Sequence, residues 1–310
     1  MGRYIVRRIL YMFTVLWIVA TLTFVLMHSI PGDPLAHMAK NLPEQTKKNY
    51  YAKYGLDKPI YIQYGKFISQ AIRGDLGESI RYPGRSVTGT IKKLSVVSGV
   101  LGGQALFLGF SIGIILGIIA ALNRNKWPDY LVMFIAILGI TVPVFVTAAV
   151  FQYFFSVKLP WFPTTGWGGM KYMVLPVVTL CFGSVATYAR YMRSSVLEVI
   201  NQDYILTAQA KGVSGFNVIR KHVLRNAILP TITILGPSIA GIFVGSFVVE
   251  SIFGIPGLGF YFISSINDRD FTMIMGNTIF YTGIFIFSLL ITDIVYSLVD
   301  PRIRISEEGN

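Results

Sequence analysis

Six long apolar segments recur along the chain, separated by shorter polar stretches. They lie at residues 9–30, 94–122, 130–157, 172–189, 227–249 and 271–292, and none of them contains Lys, Arg, Asp or Glu. Because a bilayer core about 30 Å thick requires roughly 20 apolar residues in a helix, each segment is long enough to cross a membrane. The pattern predicts an all-α integral membrane protein with six transmembrane helices, forming a single transmembrane domain over residues 1–310.

The composition excludes an ordinary soluble protein. Of the 310 residues, 53% are hydrophobic and only 14% are charged, and the mean hydropathy is +0.59. Soluble domains carry roughly 25% charged residues. The net charge of +12 does not indicate a nucleic-acid partner, because the charges lie between apolar runs instead of on one face of a soluble fold. The single cysteine, Cys181, lies within an apolar run, which argues against disulfides and thiolate metal sites.

The distribution of basic residues predicts how the spans are oriented. With the N-terminus inside, 13 of the 27 Lys and Arg residues lie in cytoplasmic segments, against three in the short outer loops. Cytoplasmic loops carry such an excess, so both termini are predicted to be cytoplasmic. The first apolar run is longer than the core of a signal peptide and lacks a small-residue cleavage site, so we expect a retained span.

Residues 31–93 form a long polar segment between the first two spans and are predicted to be an extracytoplasmic insertion. The other 11 basic residues lie here, and segments of this length cross membranes largely regardless of charge. Residues 54–59 have the composition of a turn, and residues 60–72 carry apolar side chains at nearly helical spacing. That helix either lies on the bilayer or the helical bundle, or belongs to a docking surface for an external partner.

Glycines and prolines within the spans predict close packing and bent helices. Gly109, Gly113 and Gly117 repeat every four residues in the second span, a spacing that lets helix backbones approach closely. A gating hinge is the alternative interpretation of this repeat. Prolines occur within three spans, at positions 143, 176, 230 and 237. Each lacks the backbone N–H and tends to bend its helix, which can open a cavity without exposing the backbone to lipid.

Ionisable residues are missing from the middle of every predicted span. Proton-coupled and ion-coupled carriers usually need such a residue there. The sequence also shows no inverted repeat of broken helices and no selectivity-filter motif. These features weigh against a secondary carrier or an ion channel, so any energy coupling is expected to come from elsewhere than these spans.

Residues 190–226 form the longest predicted cytoplasmic segment, and they carry helix signals. Ser195 and Glu198 have the spacing of a capping box, so a helix is predicted to begin there. Lys211-Gly212 is typical of a helix C-terminus, with the glycine in the left-handed turn and the lysine facing the helix dipole.

A second, short helix is predicted near residues 214–224, with Ser214 as its N-cap. Its expected apolar face consists of Phe216, Ile219 and Val223, and its cations are Arg220, Lys221 and Arg225. A basic amphipathic helix between two spans has two interpretations. It either lies on anionic lipid headgroups or forms a rigid projection that a soluble partner binds.

This segment resembles the corresponding loop of a known family. Residues 203–212 read Asp-Tyr-Ile-Leu-Thr-Ala-Gln-Ala-Lys-Gly, and residues 222–227 read His-Val-Leu-Arg-Asn-Ala. They look like the loop of the peptide and nickel class of ABC importer permeases, in the variant of the B-type subunit of oligopeptide and dipeptide permeases. Similar motifs lie at residues 7–8, 31–34, 54–59, 74–77, 250–259, 292–293 and 300–302. Of the more general importer loop motif, only Ala208, Gly212 and Leu224 match.

The resemblance implies a type I ABC importer permease fold and a non-catalytic transport function. The chain would be the transmembrane permease subunit of an ATP-driven importer of oligopeptides or dipeptides and would form half of the translocation pore. The implied partners are a second homologous permease, two cytoplasmic ABC ATPase subunits, an extracytoplasmic peptide-binding protein and the lipid bilayer. The implied location is the cytoplasmic membrane of a bacterium or archaeon.

The resemblance also implies that residues 190–226 are the coupling loop, whose helix sits in a groove of an ATPase subunit. The candidate coupling residues are Ala208, Ala210, Lys211, Gly212, Ser214, Phe216, Ile219, Arg220, His222, Leu224 and Arg225.

The chain lacks the motifs of an ATPase or of a helical metal site. It contains no G-x-x-x-x-G-K-[ST] sequence and no H-x-x-x-H or H-E-x-x-H pair, so no enzyme activity, cofactor or metal is expected in it. As the resemblance implies, ATP and magnesium would be bound by the partner ATPase subunits. A solitary channel or secondary carrier is the alternative function, and the sequence leaves peptide and nickel-chelate substrates both open.

Overall fold

The chain is built from α-helices. The computed structural model describes residues 2–31, 35 and 43–299, and in this part of the chain the β-structure consists of one isolated bridge between Glu78 and Ser86. The predicted all-α class is confirmed. The motif at residues 300–302 and residues 32–34 of the motif at 31–34 lie outside the described residues.

Thirteen α-helices are present in the described residues. In chain order they are α1 (Gly2–Ser29), α2 (Glu44–Tyr54), α3 (Ile60–Ile72), α4 (Val87–Leu122), α5 (Trp127–Thr141), α6 (Val144–Phe151), α7 (Met170–Val199), α8 (Asp203–Ala210), α9 (Gly215–Asn217), α10 (Leu224–Thr233), α11 (Leu235–Ile252), α12 (Leu258–Asn267) and α13 (Phe271–Val299). Two π-helical segments are also present: Gln152–Lys158 continues α6, and Val218–Val223 joins α9 to α10.

Four of the described helices are long and apolar enough to cross a membrane by themselves. Their apolar stretches are Val6–Ser29, Val87–Leu122, Met170–Val199 and Phe271–Thr292. The count rises to five if α5 and the helix from Val144 to Lys158, which are bent by 108°, form one broken span. The segment predicted at residues 227–249 is divided between α10 and α11, so the total of six spans stays a prediction.

The break between α5 and α6 lies at Pro143, where the sequence predicts a bend. Val142 and Pro143 are both extended, with ψ angles of 120° and 142°. A proline has no N–H and pushes the preceding residue out of the helical region, so the helix cannot continue through this point. Pro176 and Pro230 behave differently, since α7 and α10 continue through them.

The chain divides into two compact units. Unit 1 comprises Met1–Ser98 with Pro256–Phe287, and unit 2 comprises Gly99–Ile255 with Ser288–Asn310. The description of residues 1–310 as one transmembrane domain, with residues 31–93 as an insertion, stays a prediction.

Unit 1 is organised around a buried carboxylate. Asp270 is 2% exposed, and it accepts hydrogen bonds from the Ser79 hydroxyl and from the backbone N–H groups of Ile80 and Met273. Buried apolar side chains form two clusters in this unit, one of Leu35, Ile80, Phe271 and Ile274 and one of Val87, Ile91, Leu94, Leu258 and Met273. A buried carboxylate is unfavourable without hydrogen-bond donors. Ser79 and Ile80 supply two of them, so their bonds to Asp270 fix residues 79–80 beside the start of α13.

The helix predicted at residues 60–72 is confirmed as α3, and it packs against α1. The hydroxyl oxygens of Tyr64 and Thr21 lie 2.7 Å apart. The turn that precedes α3 is also confirmed, with Gly55 at a φ of 73°. Packing on another helix is therefore observed for α3, while its participation in a docking surface stays a prediction.

In unit 2, α4 lies against α7 along the glycine repeat. A Cβ placed on Gly113 would come within 2.6 Å of the Cβ of Tyr188, and one on Gly117 would come within 2.6 Å of the carbonyl oxygen of Ala189. Gly109 is equally close to α7. The predicted close packing of these helices is confirmed, because side chains at these positions would separate the two backbones.

Candidate coupling site

The helix boundary in the segment at residues 190–226 differs from the sequence prediction. Ser195 and Glu198 do not begin a helix, since α7 continues through both residues and ends at Val199. Ser195 is buried and Val196 is fully buried, so the apolar core extends α7 past the local signal. The next helix, α8, begins at Asp203, whose carboxylate lies in the first turn and interacts favourably with the helix dipole.

The predicted turn at Lys211-Gly212 is confirmed. Helix α8 ends at Ala210, and Gly212 adopts a φ of 76°. The backbone N–H of Gly212 donates to the carbonyl of Gln209 at 2.9 Å, and the N–H of Val213 donates to the carbonyl of Ala208 at 3.3 Å. These bonds use the last carbonyls of α8, as a left-handed glycine turn does.

Replacing Gly212 with valine is expected to destabilise this turn by on the order of 1 to 2 kcal/mol, because a side chain disfavours positive φ. No atom lies within 4 Å of a Cβ built at this position, so the effect comes from the backbone alone. The thermal unfolding midpoint of the purified chain measures the effect.

Gly215→Val is the matched control, because Gly215 has equally open surroundings and no positive φ. An unfolding midpoint of the Gly212→Val protein equal to that of the Gly215→Val protein would contradict a need for positive φ at position 212.

The second helix is longer than predicted. Ser214 occupies the N-cap position, but its hydroxyl accepts a hydrogen bond from the Asn217 side chain at 3.0 Å and caps no backbone N–H. The helix does not end at Leu224. It continues from α9 through the π-helical segment into α10 and ends at Thr233.

A buried apolar core holds the whole segment together. Its members are Ala121, Met192, Val196, Ile205, Ala208, Val218, Val223 and Ala227. The predicted face of Phe216, Ile219 and Val223 is therefore wrong. Val218 and Val223 are buried together because the π-helical turn places residues five apart on one face, whereas the Phe216 side chain is 72% exposed.

The eleven candidate residues divide between this core and the surface. Ala208 is buried, Ile219, His222 and Leu224 are half-buried, and Ala210, Lys211, Gly212, Ser214, Phe216, Arg220 and Arg225 are exposed. We call Lys211, Gly212, Ser214, Phe216 and Arg220 the coupling surface. No Asp or Glu occurs in residues 204–226, so this surface carries the apolar ring of Phe216 and the cations Lys211 and Arg220 without a carboxylate from the same segment.

Two side-chain contacts that support the segment were not predicted from the sequence. Asn226 donates a hydrogen bond to the Tyr204 hydroxyl at 3.2 Å and so joins α8 to α10. Arg193 binds both carboxylate oxygens of Asp129, at 2.5 Å through Nε and 2.7 Å through the second nitrogen. The backbone N–H of Asn125 also donates to Asp129, at 3.0 Å. This pair joins the start of α5 to α7, six residues before α7 ends.

The described residues contain no group of three or more His, Cys, Asp and Glu side chains that could hold a metal ion. The arrangement at residues 203–225 instead combines a rigid apolar core, an exposed aromatic ring and several cations. Such a surface is suited to binding another macromolecule, because buried aromatic and arginine side chains supply much of the energy of protein interfaces.

Two family models together match most of the chain. The model described as "Binding-protein-dependent transport system inner membrane component" matches residues 113–305. The model described as "Binding-prot-dependent transport system membrane comp, N-term" matches residues 1–82. The first match includes the coupling surface and the broken pair of helices α5 and α6.

Full-length relatives are found in several bacteria. The dipeptide transport system permease protein DppB of Bacillus subtilis is 45% identical over 309 residues, which cover 100% of both chains. The oligopeptide transport system permease protein OppB is 40% identical in Haemophilus influenzae and 38% identical in Escherichia coli, in each case over 98% of this chain and 100% of the relative. The chain therefore belongs to the family of binding-protein-dependent transport system inner membrane components.

Proposed function

We propose that this chain is the transmembrane permease subunit of an ATP-driven importer of oligopeptides or dipeptides. It forms half of the translocation pore and binds a cytoplasmic ATPase subunit through the coupling surface. The observation that carries the proposal is the exposed, positively charged coupling surface, which is held on a buried apolar core. It occurs in a chain that peptide-transport permeases match over 98% to 100% of its length. The subunit is a non-catalytic membrane component.

In the proposed topology both termini and residues 190–226 are cytoplasmic, and residues 31–93 are extracytoplasmic. If α1 and α4 cross in turn, the connection at residues 123–129 returns to the cytoplasm. The pair α5 and α6 must then cross completely, since a re-entrant loop would place residues 190–226 and their six Lys and Arg residues outside. The positive-inside rule favours the complete crossing.

The coupling surface is proposed to fit a groove in the ATPase subunit. Val218 and Val223 are 2% and 0% exposed and fix the base of the segment, while Phe216 points away from that core. A displacement of the coupling surface therefore moves α10 as a rigid body, because close-packed cores transmit strain instead of absorbing it.

The remaining partners and the location follow from the same proposal. A second, homologous permease completes the pore, and an extracytoplasmic peptide-binding protein delivers the substrate. Two ATPase subunits bind ATP and magnesium. The assembly lies in the cytoplasmic membrane of a bacterium or archaeon, as the bacterial sources of the relatives support. The single domain over residues 1–310, with residues 31–93 inserted, is part of this proposal.

Phe216→Ala is expected to weaken ATPase binding by about tenfold or more while leaving the permease folded. Its side chain is 72% exposed, so truncation removes little packing within this chain. Co-purification of the ATPase subunits with the tagged permease in mild detergent measures the effect, and the unfolding midpoint of the permease measures its integrity.

Trp127→Ala is the matched control, since Trp127 is a 73% exposed aromatic residue outside residues 190–226 on the same proposed side of the membrane. Equal recovery of ATPase subunits with the wild-type and Phe216→Ala chains would remove Phe216 from the interface.

The function itself is tested by uptake into proteoliposomes that contain the permease pair and the ATPases. We expect uptake of a radiolabelled dipeptide or pentapeptide that requires both ATP and the binding protein. An assembled, ATP-hydrolysing complex that takes up neither peptide would contradict peptide import. Uptake by this chain without ATPase subunits would instead indicate a solitary carrier.

A further inference from the structure

A cavity of about 380 Å³ lies in unit 2 beside the break between α5 and α6. Its lining comes from four helices and the break itself. None of the fourteen lining residues is charged, and five of them, including Thr179, Thr187 and Ser238, carry a hydroxyl group. The backbone groups that matter here belong to Gly139, Ile140 and Val144. The volume falls within the range of small-ligand pockets, which is roughly 300 to 1,000 Å³.

The helix break leaves backbone groups without helical partners at this cavity. Val142 and Pro143 are extended, so no bond between residues four apart can cross the break. The carbonyl groups of Gly139 and Ile140 therefore end α5 without N–H partners, and the N–H group of Val144 begins α6 without a carbonyl partner. The cavity thus has backbone acceptors and a backbone donor a few residues apart along the chain.

The carbonyl oxygen of Gly139 is directed towards α7. A Cβ built on Gly183 would lie 3.3 Å from that oxygen. Apart from nearby backbone of α7 itself, no other atom of the described residues would lie within 4 Å of this added Cβ. Because position 183 has no side chain, no Cβ covers this carbonyl on the side of α7.

Thr179 supplies an independent sign that a ligand belongs here. It is 1% exposed, and in the described part of the chain its hydroxyl oxygen has no hydrogen-bond partner. Thr187 and Ser238, which also line the cavity, donate to backbone carbonyls at 2.9 Å and 2.7 Å. A buried hydroxyl without a partner is unfavourable, so its partner is expected to be a molecule that enters the cavity.

We propose that this cavity binds the main-chain amide groups of a peptide in transit, which rests on the proposed function and specifies how the substrate is recognised. A peptide group carries one N–H donor and one carbonyl acceptor, and the cavity has both complementary kinds of group. The Gly139 carbonyl accepts from a substrate N–H, and the Thr179 hydroxyl donates to a substrate carbonyl. Because every peptide has the same main chain, this contact is independent of the substrate's side chains.

The uncharged lining supports the same conclusion. A charged wall would attract peptides of one sign and repel the others, whereas a wall of hydroxyl, amide and apolar groups does neither. Broken membrane helices are a known means of presenting unpaired backbone groups to a substrate at the level of the bilayer.

The test measures peptide binding to the complete permease and ATPase complex in lipid nanodiscs, without the binding protein. The probes are radiolabelled triglycine and trisarcosine, which have the same chain length, while the N-methyl groups of trisarcosine remove its amide N–H donors. Equilibrium dialysis is expected to give tighter binding of triglycine by about tenfold or more.

Thr179→Val removes the unpaired hydroxyl and keeps the shape of the side chain. We expect it to weaken triglycine binding about three- to tenfold, while the unfolding midpoint stays the same or rises because an unsatisfied buried group has been removed. Thr278→Val is the control, since the Thr278 hydroxyl already donates to the carbonyl of Ile274 at 2.8 Å, in unit 1. A loss of binding without a loss of stability separates ligand contact from misfolding.

Gly183→Ala provides a second variant, because its methyl group would cover the Gly139 carbonyl. Gly103→Ala is its control, with no atom within 4 Å of the added Cβ. Equal binding of triglycine and trisarcosine, or unchanged binding in both Thr179→Val and Gly183→Ala, would overturn the proposal. If ATP-driven uptake of triglycine persists in that case, peptide import stands without this site; if uptake is also missing, the proposed function fails with it.

Discussion

Replacing Asp129 with alanine is expected to destabilise the permease by about 3 kcal/mol, the low end of the range for losing one partner of a buried ion pair. Asp129 is 2% exposed, and the side chain of Arg193 is 25% exposed, so the guanidinium left behind is only partly hydrated. The same change frees the backbone N–H of Asn125, which donates to Asp129. Reversible unfolding in a denaturing detergent measures the loss.

The control for this variant is an ion pair of comparable length at the surface. Lys53 and Glu78 are 2.6 Å apart, but their side chains are 49% and 43% exposed. Glu78→Ala is therefore expected to change stability by less than about 1 kcal/mol. Equal effects of Asp129→Ala and Glu78→Ala would show that burial adds nothing to the Asp129 pair. The double variant Asp129→Leu with Arg193→Leu is expected to recover much of the loss, because no charge is then left without its partner.

A methyl group at Gly113 is expected to destabilise unit 2 by about 2 to 3 kcal/mol, since overpacking of a close contact is unfavourable. The added Cβ would lie 2.6 Å from the Cβ of Tyr188 and 2.9 Å from the carbonyl oxygen of Val185. These atoms belong to α7 or are fixed to its backbone, so a side-chain rotation cannot relieve the clash. The unfolding midpoint of Gly113→Ala in detergent measures the effect.

Gly103→Ala lies on the same helix and is expected to have the opposite sign. No atom lies within 4 Å of its added Cβ, and alanine favours the helix over glycine by roughly 0.5 to 1 kcal/mol. A stabilising effect of Gly113→Ala would mean that α4 and α7 do not approach each other as closely as the glycine repeat indicates.

Much of the helical architecture could be predicted because lipid imposes a minimum length on apolar segments. The helices α4, α7 and α13 each contain one of the predicted runs, α1 covers all but the last residue of another, and the position of Pro143 predicts the break between α5 and α6. The predicted run at residues 227–249 is divided near Ile234, and this break agrees with the bend expected from Pro237, which has no N–H to donate to the carbonyl of Thr233.

The helix ends near the coupling surface could be predicted only in part. Gly212 is a local signal, and the turn forms there because a left-handed residue is needed. Ser195 and Glu198 also form a local signal, but burial of Val196 in the core overrides it. The π-helical spacing that buries Val218 and Val223 depends on the same core, so a pattern search at helical spacing assigns Phe216 to the wrong face.

The side-chain contacts between distant segments could not be predicted from the sequence. Asp129 and Arg193 are 64 residues apart, and no periodic pattern relates them. The sequence also gives no sign that the Thr179 hydroxyl is unpaired, since threonine in an apolar run usually donates to a carbonyl of its own helix, as Thr187 does. Both features require knowledge of which helices are neighbours.

The chain is joined to the coupling surface in two mechanically different ways. On the side of α7, the helix is interrupted between Val199 and Asp203, where Gln202 is extended. On the other side, the helix continues without interruption from Gly215 to Thr233. The segment is therefore continuous with α10 through the helix backbone, whereas its contact with α7 is made by side chains, since Met192 and Val196 belong to the same buried core as Val218 and Val223. A displacement of the coupling surface would tilt α10 directly and would act on α7 through this packing.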